Sequence, residues 1–311
     1  MNNRPPLFLF SGDLIADRRY EYAQDFAERG DLAAAADLYA QAAERAPGFA
    51  SAWYALGDVR ERLGDNATAI EAFVQARTAD PDDRMGAGVR LARLGAAPAE
   101  GAMSAAYVRS VFDQYAPDFD RALIKGLAYR GPELLCEAVA TVCQQRQRDV
   151  AFRKALDLGC GTGLAGELFG PKVESLEGVD LSPAMVALAE ARSCYAAVHV
   201  GEMLEHVRTR DDASYDLVIA ADALVYLGDL EPLFRDLARV IEPGGLFAFS
   251  VEAHDGDGVV LGEKLRYAHA RPYVERTLAA CGFLPLHVEP NSTRQEGGRA
   301  VPGLIVVAVR E

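Results

Sequence analysis

The chain has 311 residues, enough for two domains at the usual size of about 100–200 residues each. Half of the residues are hydrophobic and a quarter are charged, which is ordinary for a globular protein and excludes a disordered one. Asp and Glu outnumber Lys and Arg by 46 to 32, for a net charge of −14. This excess disfavours binding to nucleic acid or to anionic membranes.

The cysteines and the N-terminus bear on the compartment. Neither a disulfide framework nor a zinc site is indicated, and we expect no metal, because the five cysteines are widely spaced and form no C-x-x-C pair. The apolar run at residues 7–10 is shorter than a signal peptide requires. No stretch approaches 18 apolar residues. We therefore expect a cytoplasmic protein.

An internal repeat occupies the first part of the chain. The pair Gly30-Asp31 recurs 34 residues later as Gly64-Asp65. The same offset relates four further pairs of similar residues, which are Ala35 and Ala69, Tyr39 and Phe73, Ala42 and Ala76, and Pro47 and Pro81. Small residues let two helices approach closely, Gly-Asp makes the turn, and each proline ends a unit. The pattern predicts two helical hairpins.

The period resembles the tetratricopeptide repeat, and Trp53, Leu56 and Gly57 stand where that family favours them. The resemblance implies a repeat domain over residues 1–95, with units at about 16–49 and 50–83 and a capping helix. It also implies a concave face for a basic or amphipathic peptide, although the face could equally be solvated or packed on a neighbouring domain. The residues implied for this face are Asp17, Tyr20, Gln24, Glu28, Ser51, Tyr54, Asp58 and Glu61.

A linker and a helical lid are predicted over residues 96–150. Apolar residues recur at helical spacing over 107–115, Pro117 ends that helix, and further helices are predicted over 119–127 and 133–143. From Lys154 onward, short apolar runs alternate with helical stretches. This alternation predicts a mostly parallel, doubly wound, Rossmann-like α/β sheet over 151–311. The last two apolar runs, 283–288 and 304–309, have no helix between them and suggest an antiparallel C-terminal edge strand.

The glycine-rich segment 156–163, Leu-Asp-Leu-Gly-Cys-Gly-Thr-Gly, stands where the first predicted strand turns into a helix. Glycines there let the backbone approach a ligand closely. Asp180 ends the second strand, 23 residues after Asp157, and its carboxylate can accept the hydroxyls of a ribose. These features predict a cofactor that contains a nucleoside. Residues 161–166 also satisfy G-x-G-x-x-G, so an NAD(P)-dependent oxidoreductase stays open, although Asp157 would repel a pyrophosphate.

Four segments in order resemble the motifs of class I S-adenosylmethionine-dependent methyltransferases. They are residues 157–163, 178–182, 215–220 and 243–246. Together with the repeats, they resemble a bacterial group of predicted methyltransferases that carry tetratricopeptide repeats. The resemblance implies S-adenosyl-L-methionine as the cofactor.

The resemblance also assigns cofactor contacts. The glycines would hold the methionine portion with Asp157 near its ammonium, Asp180 would bind the ribose, and Glu202 would stand where the family usually has an Asp for the adenine amino group. The full set of implied cofactor residues is Asp157, Gly159, Gly161, Gly163, Asp180, Leu181, Glu202, Met203, Asp222 and Tyr115.

Three residues are candidates for a general base, His269 and His254 after the fifth strand and Asp222 at the end of the fourth. Each also has a structural interpretation. A methyl group would pass to an O or N atom of a small molecule, or of a peptide or protein recruited by the repeats. The alternative is a catalytically silent, cofactor-binding scaffold that uses the repeats for protein interaction.

Overall fold

The computed structural model describes residues 10–121, 123 and 126–311. Except for its last residue, Phe10, the apolar run at 7–10 therefore lies outside the described residues, as does part of the helix predicted over 119–127. The chain divides into two compact units, with the boundary between Ser110 and Val111, inside the predicted linker and lid. Among the described residues, no helix has both the length and the apolar character needed to cross a membrane.

The first unit is helical. Its helices are α1 (Leu14–Glu28), α2 (Leu32–Arg45), α3 (Ala50–Arg62), α4 (Asn66–Ala79) and α5 (Ala87–Arg93), and α6 (Ala105–Tyr115) begins in this unit. The first four pair as two hairpins whose turns are the repeated Gly-Asp pairs. Gly30 and Gly64 have φ of 85° and 81°, which glycine adopts without strain. Asp31 and Asp65 then cap α2 and α4 by accepting the N–H three residues later.

Some residues of the predicted concave face lie in the interior of the repeats, so this part of the prediction is corrected. Tyr20, Ser51 and Tyr54 are buried, with Tyr20 only 1% exposed. The Tyr20 ring packs 5.2 Å from that of Tyr39, and the Tyr54 ring packs 5.4 Å from that of Phe73. Burial of these aromatic rings stabilises the hairpins. The tyrosines are therefore core residues and cannot be offered to a peptide.

Two acids of the same predicted face are paired within the unit. The Arg90 guanidinium donates to Asp58 at 2.8 Å and to Glu61 at 2.6 Å. It also lies 5.1 Å from the centre of the Phe73 ring, a cation–π contact. The capping helix α5 is thus fastened to the second hairpin by charge as well as by packing.

Gly57 supplies the first testable prediction. A Cβ at this position would lie 2.7 Å from the Phe73 ring, so Gly57→Ala forces the ring out of the helix interface. We expect a loss of about 1–3 kcal/mol in unfolding free energy, as for other overpacked cores. Gly48→Ala is the matched control, because a Cβ there meets no atom within 4 Å. Chemical denaturation of both variants checks the prediction, and equal stabilities would contradict it.

The second unit is built on a central sheet. Its strands are β1 (Phe152–Leu158), β2 (Val173–Asp180), β3 (Ala197–Val200), β4 (Tyr215–Ala220), β5 (Ile241–His254), β6 (Val259–Leu261), β7 (Tyr267–Ala270), β8 (Phe283–Pro290), β9 (Gln295–Glu296), β10 (Arg299–Ala300) and β11 (Gly303–Arg310). Its helices are α7 (Phe119–Arg121), α8 (Gly131–Gln145), α9 (Leu164–Phe169), α10 (Pro183–Ala191), α11 (Met203–Arg208), α12 (Glu231–Val240) and α13 (Arg271–Ala280).

The strand order is β3-β2-β1-β4-β5-β11-β8. The first five strands are mutually parallel, and β11 runs antiparallel between β5 and β8. This confirms the predicted Rossmann-like sheet, whose antiparallel C-terminal strand lies beside the edge strand β8. Alternate residues of β4 serve opposite faces: Val218 and Ala220 join the core beneath α11–α13, and Leu217 and Ile219 the core beneath α8 and α9.

Candidate functional site

The glycine loop between β1 and α9 is shaped by three residues with positive φ. Gly159, Gly161 and Gly163 have φ of 67°, 53° and 90°, a conformation that L-residues rarely adopt. A Cβ at Gly159 would also lie 2.5 Å from the Ala223 Cβ. The loop therefore passes directly against the segment that follows β4, and bare backbone faces the ends of the parallel strands.

Asp180, at the end of β2, is tied to this loop. Its Oδ2 accepts the Gly161 N–H at 2.9 Å, and its Oδ1 accepts the Ser182 N–H at 2.8 Å. Burial raises the pKa of the carboxyl, although the two backbone hydrogen bonds oppose the shift. Each oxygen keeps lone pairs for a further donor. The carboxylate is thus oriented and can accept hydroxyl groups.

Asp157, at the end of β1, holds an unpaired oxygen. The side chain is buried, and its Oδ2 accepts the Tyr195 hydroxyl at 2.7 Å. Its Oδ1 is buried without any hydrogen-bond partner in the described structure. Burial, followed by the charge of Asp180, raises the pKa of the Asp157 carboxyl to about 7. Buried acceptors are seldom left unpaired, so this oxygen marks a place for a donor from a ligand.

Sequence reasoning missed Tyr195. Its ring fills space that glycines leave open: a Cβ at Gly166 would lie 2.4 Å from the ring, and one at Gly178 would lie 3.1 Å from it. Tyr195 precedes β3 and is 38 residues from Asp157. The glycines were the only signal in the sequence, and they do not indicate which aromatic residue occupies the space.

The remaining predicted cofactor residues line the neighbouring strand ends. Leu181 follows β2 and is half-buried. Glu202 follows β3 and caps α11 by accepting the Glu205 N–H at 2.8 Å. The Met203 methyl lies 3.9 Å from the position of a Cβ at Gly159. Met203 is therefore brought beside the glycine loop, and Glu202 stands next to it at the start of α11.

The lid segment of the second unit reaches the glycine loop through aromatic rings. The Phe119 ring lies 3.9 Å from the position of a Cβ at Gly161. Phe112 packs edge-on against Phe119 at 5.8 Å and against Tyr226, which follows β4, at 5.3 Å. Tyr115, on the same helix as Phe112, is half-buried. Aromatic rings therefore cover the loop.

Two acids of the lid bind the same region. Asp113 accepts the Ser182 hydroxyl, just beyond β2. Asp120 accepts the Thr162 hydroxyl within the glycine loop and forms an ion pair with Arg192. The lid is thus hydrogen-bonded to both sides of the site.

Asp222 follows β4 with a positive φ of 53°. Its Oδ1 accepts the Ser250 hydroxyl at 2.7 Å, and its Oδ2 accepts the Thr293 hydroxyl at 2.7 Å and an Arg294 N–H at 2.6 Å. Three donors, one of them the buried guanidinium of Arg294, thus already contact the two oxygens of Asp222. The residue lies next to Ala223 and the glycine loop, and its role as a general base stays a prediction.

Arg294 is the centre of a buried ion network that the sequence did not reveal. Its guanidinium binds Asp222, Glu252 and Glu296, and its side chain is only 6% exposed. Arg266 binds the same two glutamates. The five groups carry a net charge of −1. They connect the segment after β4 to the far end of β5 and to the hairpin β9–β10.

The two predicted histidines lie together, and both are engaged in the local structure. His269 pairs with Ala253 across β7 and β5, and His254 ends β5. The His269 side chain is fully buried, and its Nε2 donates to the Leu227 carbonyl at 2.9 Å. Burial lowers the pKa of His269 to about 4. The His254 ring nitrogens contact Gly256 and Gly258 of its own turn.

The second ring nitrogen of His269, Nδ1, is buried without a hydrogen-bond partner in the described structure. The burial of His269 and the local hydrogen bonds of His254 favour the structural interpretation of both residues, and their role as a general base stays a prediction. The sequence placed His269 in the segment after the fifth strand. It did not predict β7, the short strand that buries this residue, because β7 has no distinct apolar run.

Comparisons with known proteins match the two parts separately. A family model for a methyltransferase domain matches residues 156–249, and a family model for a tetratricopeptide repeat matches residues 26–94. Residues 156–249 therefore resemble a methyltransferase domain, and residues 26–94 resemble tetratricopeptide repeats. The predicted resemblance to a methyltransferase with N-terminal repeats is thus confirmed over these two segments.

Two of the similar curated proteins carry methyltransferase names. The chain is 30% identical over 147 residues to human methyltransferase-like protein 27, covering 47% of this chain and 58% of that protein. It is 29% identical over 100 residues to a ubiquinone biosynthesis O-methyltransferase of Xanthomonas oryzae, covering 31% of this chain and 42% of that protein. The chain thus spans about half the length of the curated relatives it matches.

Solved structures share the fold. The 1,6-didemethyltoxoflavin-N1-methyltransferase of Burkholderia thailandensis, with bound S-adenosylhomocysteine, is 20% identical at a TM-score of 0.50, covering 66% of this chain and 88% of that one. The magnesium protoporphyrin IX methyltransferase of Synechocystis, with bound S-adenosylmethionine, is 18% identical at a TM-score of 0.50, covering 67% and 97%.

Proposed function

We propose that this protein transfers the methyl group of S-adenosylmethionine to an O or N atom of an acceptor. The observation that carries the proposal is the buried, unpaired Oδ1 of Asp157 beside the bare glycine loop. When bound, S-adenosylmethionine supplies an electrophilic methyl group on its sulfonium. The Oδ1 of Asp157 can accept a hydrogen bond from the ammonium of the same molecule. A pyrophosphate would instead meet a carboxylate at that point, which disfavours a dinucleotide.

Different residues around the glycine loop bind different parts of the cofactor. Asp157 pairs with the ammonium, and Asp180 accepts the ribose hydroxyls with the lone pairs that its hydrogen bonds from Gly161 and Ser182 leave unused. We assign Glu202, Met203 and Leu181 to the adenine side. Tyr115, Phe112 and Phe119 belong to the lid and exclude water from the reacting atoms.

We infer that the chain accelerates transfer chiefly by positioning. In-line displacement needs the acceptor held near the methyl, and orientation alone can supply up to about 7–11 kcal/mol. Asp222, fixed by Arg294, shapes the acceptor side of the site. The histidines stabilise the β5–β7 region.

We propose an oxygen acceptor ahead of a nitrogen one. Two matched relatives are named O-methyltransferases, the ubiquinone biosynthesis enzyme and the malonyl-[acyl-carrier protein] O-methyltransferase of Bacillus cereus. The acceptor is a small molecule, or a peptide or protein that the repeats recruit. The half-buried and exposed acids that remain on the repeat face, such as Asp17 and Glu28, would favour a basic partner. We also propose a cytoplasmic location, which the five free cysteines support.

Calorimetric titration with S-adenosylmethionine, S-adenosylhomocysteine and NAD⁺ tests the cofactor. We expect micromolar binding of the two adenosyl ligands and none of NAD⁺. Asp180→Ala should weaken adenosyl binding by more than about 100-fold, because two hydrogen bonds to a charged acceptor are lost. Asp211→Ala, which removes an exposed carboxylate before β4, is the matched control and should bind normally. Folded protein that binds neither adenosyl ligand would contradict the proposal.

A methyl-transfer assay then separates the enzyme from the scaffold. Protein that binds S-adenosylmethionine is supplied with radiolabelled methyl donor and with acceptor fractions of low mass or of protein. Label in the low-mass fraction indicates a small acceptor, and label in protein indicates recruitment by the repeats. Cofactor binding without any transfer would favour the silent scaffold.

A further inference from the structure

A cluster of three potential metal ligands lies where β2, β3 and α11 meet. One ligand atom from each of Glu177, His199 and His206 lies within 4.8 Å of the others. Glu177 pairs with Ala197 and Val179 pairs with His199 across the parallel strands. Glu177 and His199 are thus diagonal neighbours on one face of the sheet.

His206 completes the cluster from the helix. It lies near the end of α11, and its ring centre is 4.9 Å from that of His199. The side chain is 9% exposed, and its Nε2 is buried without a hydrogen-bond partner in the described structure. An unpaired buried polar atom is costly, at about 1–3 kcal/mol. This nitrogen is a second indication that the cluster accommodates something more.

The charges around the cluster bear on what it can bind. Glu177 Oε1 accepts from Lys154 at 2.8 Å, Oε2 accepts the Tyr215 hydroxyl at 2.8 Å, and Arg210 lies 3.9 Å away. The carboxylate still has unused lone pairs, and ligating carboxylates are commonly held by an outer hydrogen bond such as the one from the Tyr215 hydroxyl.

We propose that Glu177, His199 and His206 bind one divalent transition-metal ion of the Zn²⁺ class. Imidazole suits Zn²⁺, Ni²⁺ and Co²⁺ better than Mg²⁺ or Ca²⁺, and one carboxylate and solvent complete a tetrahedral set. The ion ties together β2, β3 and α11. Because α11 begins with Met203 beside the glycine loop, the ion fixes the strand end that we assign to adenine.

This inference departs from the expectation of no metal, and the reason is local. In sequence, a metal site is indicated by closely spaced ligands such as paired cysteines, and the chain has no C-x-x-C pair. Here the ligands come from three separate elements, and His199 and His206 are separated by the turn between β3 and α11. Their proximity is visible only in the fold.

Tag-free full-length protein, freed of metal with a chelator, is titrated with Zn²⁺ by calorimetry and with Co²⁺ by visible absorption. We expect one equivalent bound, with the intense Co²⁺ band of a tetrahedral site, and a higher melting temperature with Zn²⁺. His199→Gln and His206→Gln should each weaken binding by at least about 10-fold. His287→Gln is the matched control, because His287 lies 3.8 Å from Glu289 on β8, and it should bind as the parent does.

The same titration on Lys154→Met adds a test of the charge arrangement. Removing the ammonium beside Glu177 should tighten binding, since a cation no longer competes for the carboxylate. Circular dichroism checks that each variant is folded. If His206→Gln does not fold, His199→Gln carries the test, because His199 is only half-buried. No binding, or binding unaffected by both histidine substitutions, would overturn the proposal. Loss of binding in His287→Gln would show an adventitious surface ion only and would overturn it equally.

Discussion

Asp157→Asn is expected to stabilise the ligand-free protein at pH 8 while it weakens binding of S-adenosylmethionine. The pKa of this carboxyl rises from 3.8 in the unfolded chain to about 7 in the folded protein, because it is buried and near Asp180. At pH 8 the folded protein must therefore hold a buried charge that the unfolded chain exposes to water. The neutral amide removes most of that cost, about 2–4 kcal/mol, and still accepts the Tyr195 hydroxyl.

The stability difference between Asp157→Asn and the parent should grow as the pH rises. Below about pH 3 the carboxyl is mostly protonated in both states, so the variant and the parent should differ little. Between pH 4 and 7 the folded state binds the proton more tightly than the unfolded state does. The stability of the parent therefore falls across this window relative to the variant, and the difference is complete by pH 8. Melting temperatures measured at pH 4, 6 and 8 check this course.

Cofactor binding should respond in the opposite direction. An ammonium pairs with the ionised carboxylate, so S-adenosylmethionine should bind the parent more tightly as the pH rises from 6 to 8, and Asp157→Asn should bind weakly throughout. Asp216→Asn is the matched control, because this buried carboxylate accepts the N–H groups of Arg153 and Lys154 at 2.8 and 3.0 Å. That substitution should destabilise. A stability loss in Asp157→Asn at pH 8 would contradict our account of the site.

The parts of this site that sequence could predict are those carried by short, continuous motifs. The glycine loop, Asp157, Asp180 and the alternation of strands and helices each depend on neighbouring residues, so local pattern locates them. The partners of these residues come from elsewhere in the chain. Arg294 is 72 residues from Asp222, and Thr293 is 71 residues from it. No local spacing predicts such contacts.

The burial of His269, one of the predicted bases, could not be predicted from sequence for a related physical reason. Position after a strand places a residue at the correct edge of the sheet, but burial depends on what packs over it. The four-residue strand β7 pairs with the extension of β5 and turns His269 into the interior. In the repeats, Tyr20 and Tyr54 likewise occupy predicted surface positions, and the aromatic rings of neighbouring helices bury them.

Arg294→Met should cause the largest loss of stability in the second unit. The substitution leaves Asp222, Glu252 and Glu296 mostly buried, with only Arg266 to balance them. Removing one partner from a buried ion network costs about 3–5 kcal/mol, because the charges that remain stay desolvated. Arg276→Met is the matched control. Its partner Asp257 and the arginine itself are 76% and 61% exposed, so the loss there should stay below about 1 kcal/mol.

The double variant Arg294→Met with Asp222→Asn tests whether the unbalanced charge of Asp222 causes the loss of stability. Neutralising Asp222 removes one of the uncompensated charges, so part of the lost stability should return, and the two substitutions should be less than additive. Urea denaturation of the four proteins measures the coupling. Equal losses in Arg294→Met and Arg276→Met, or strict additivity in the double variant, would show that Arg294 does not hold Asp222. At temperatures where Arg294→Met remains folded, S-adenosylmethionine should still bind and methyl transfer should fall, since the network lies on the acceptor side.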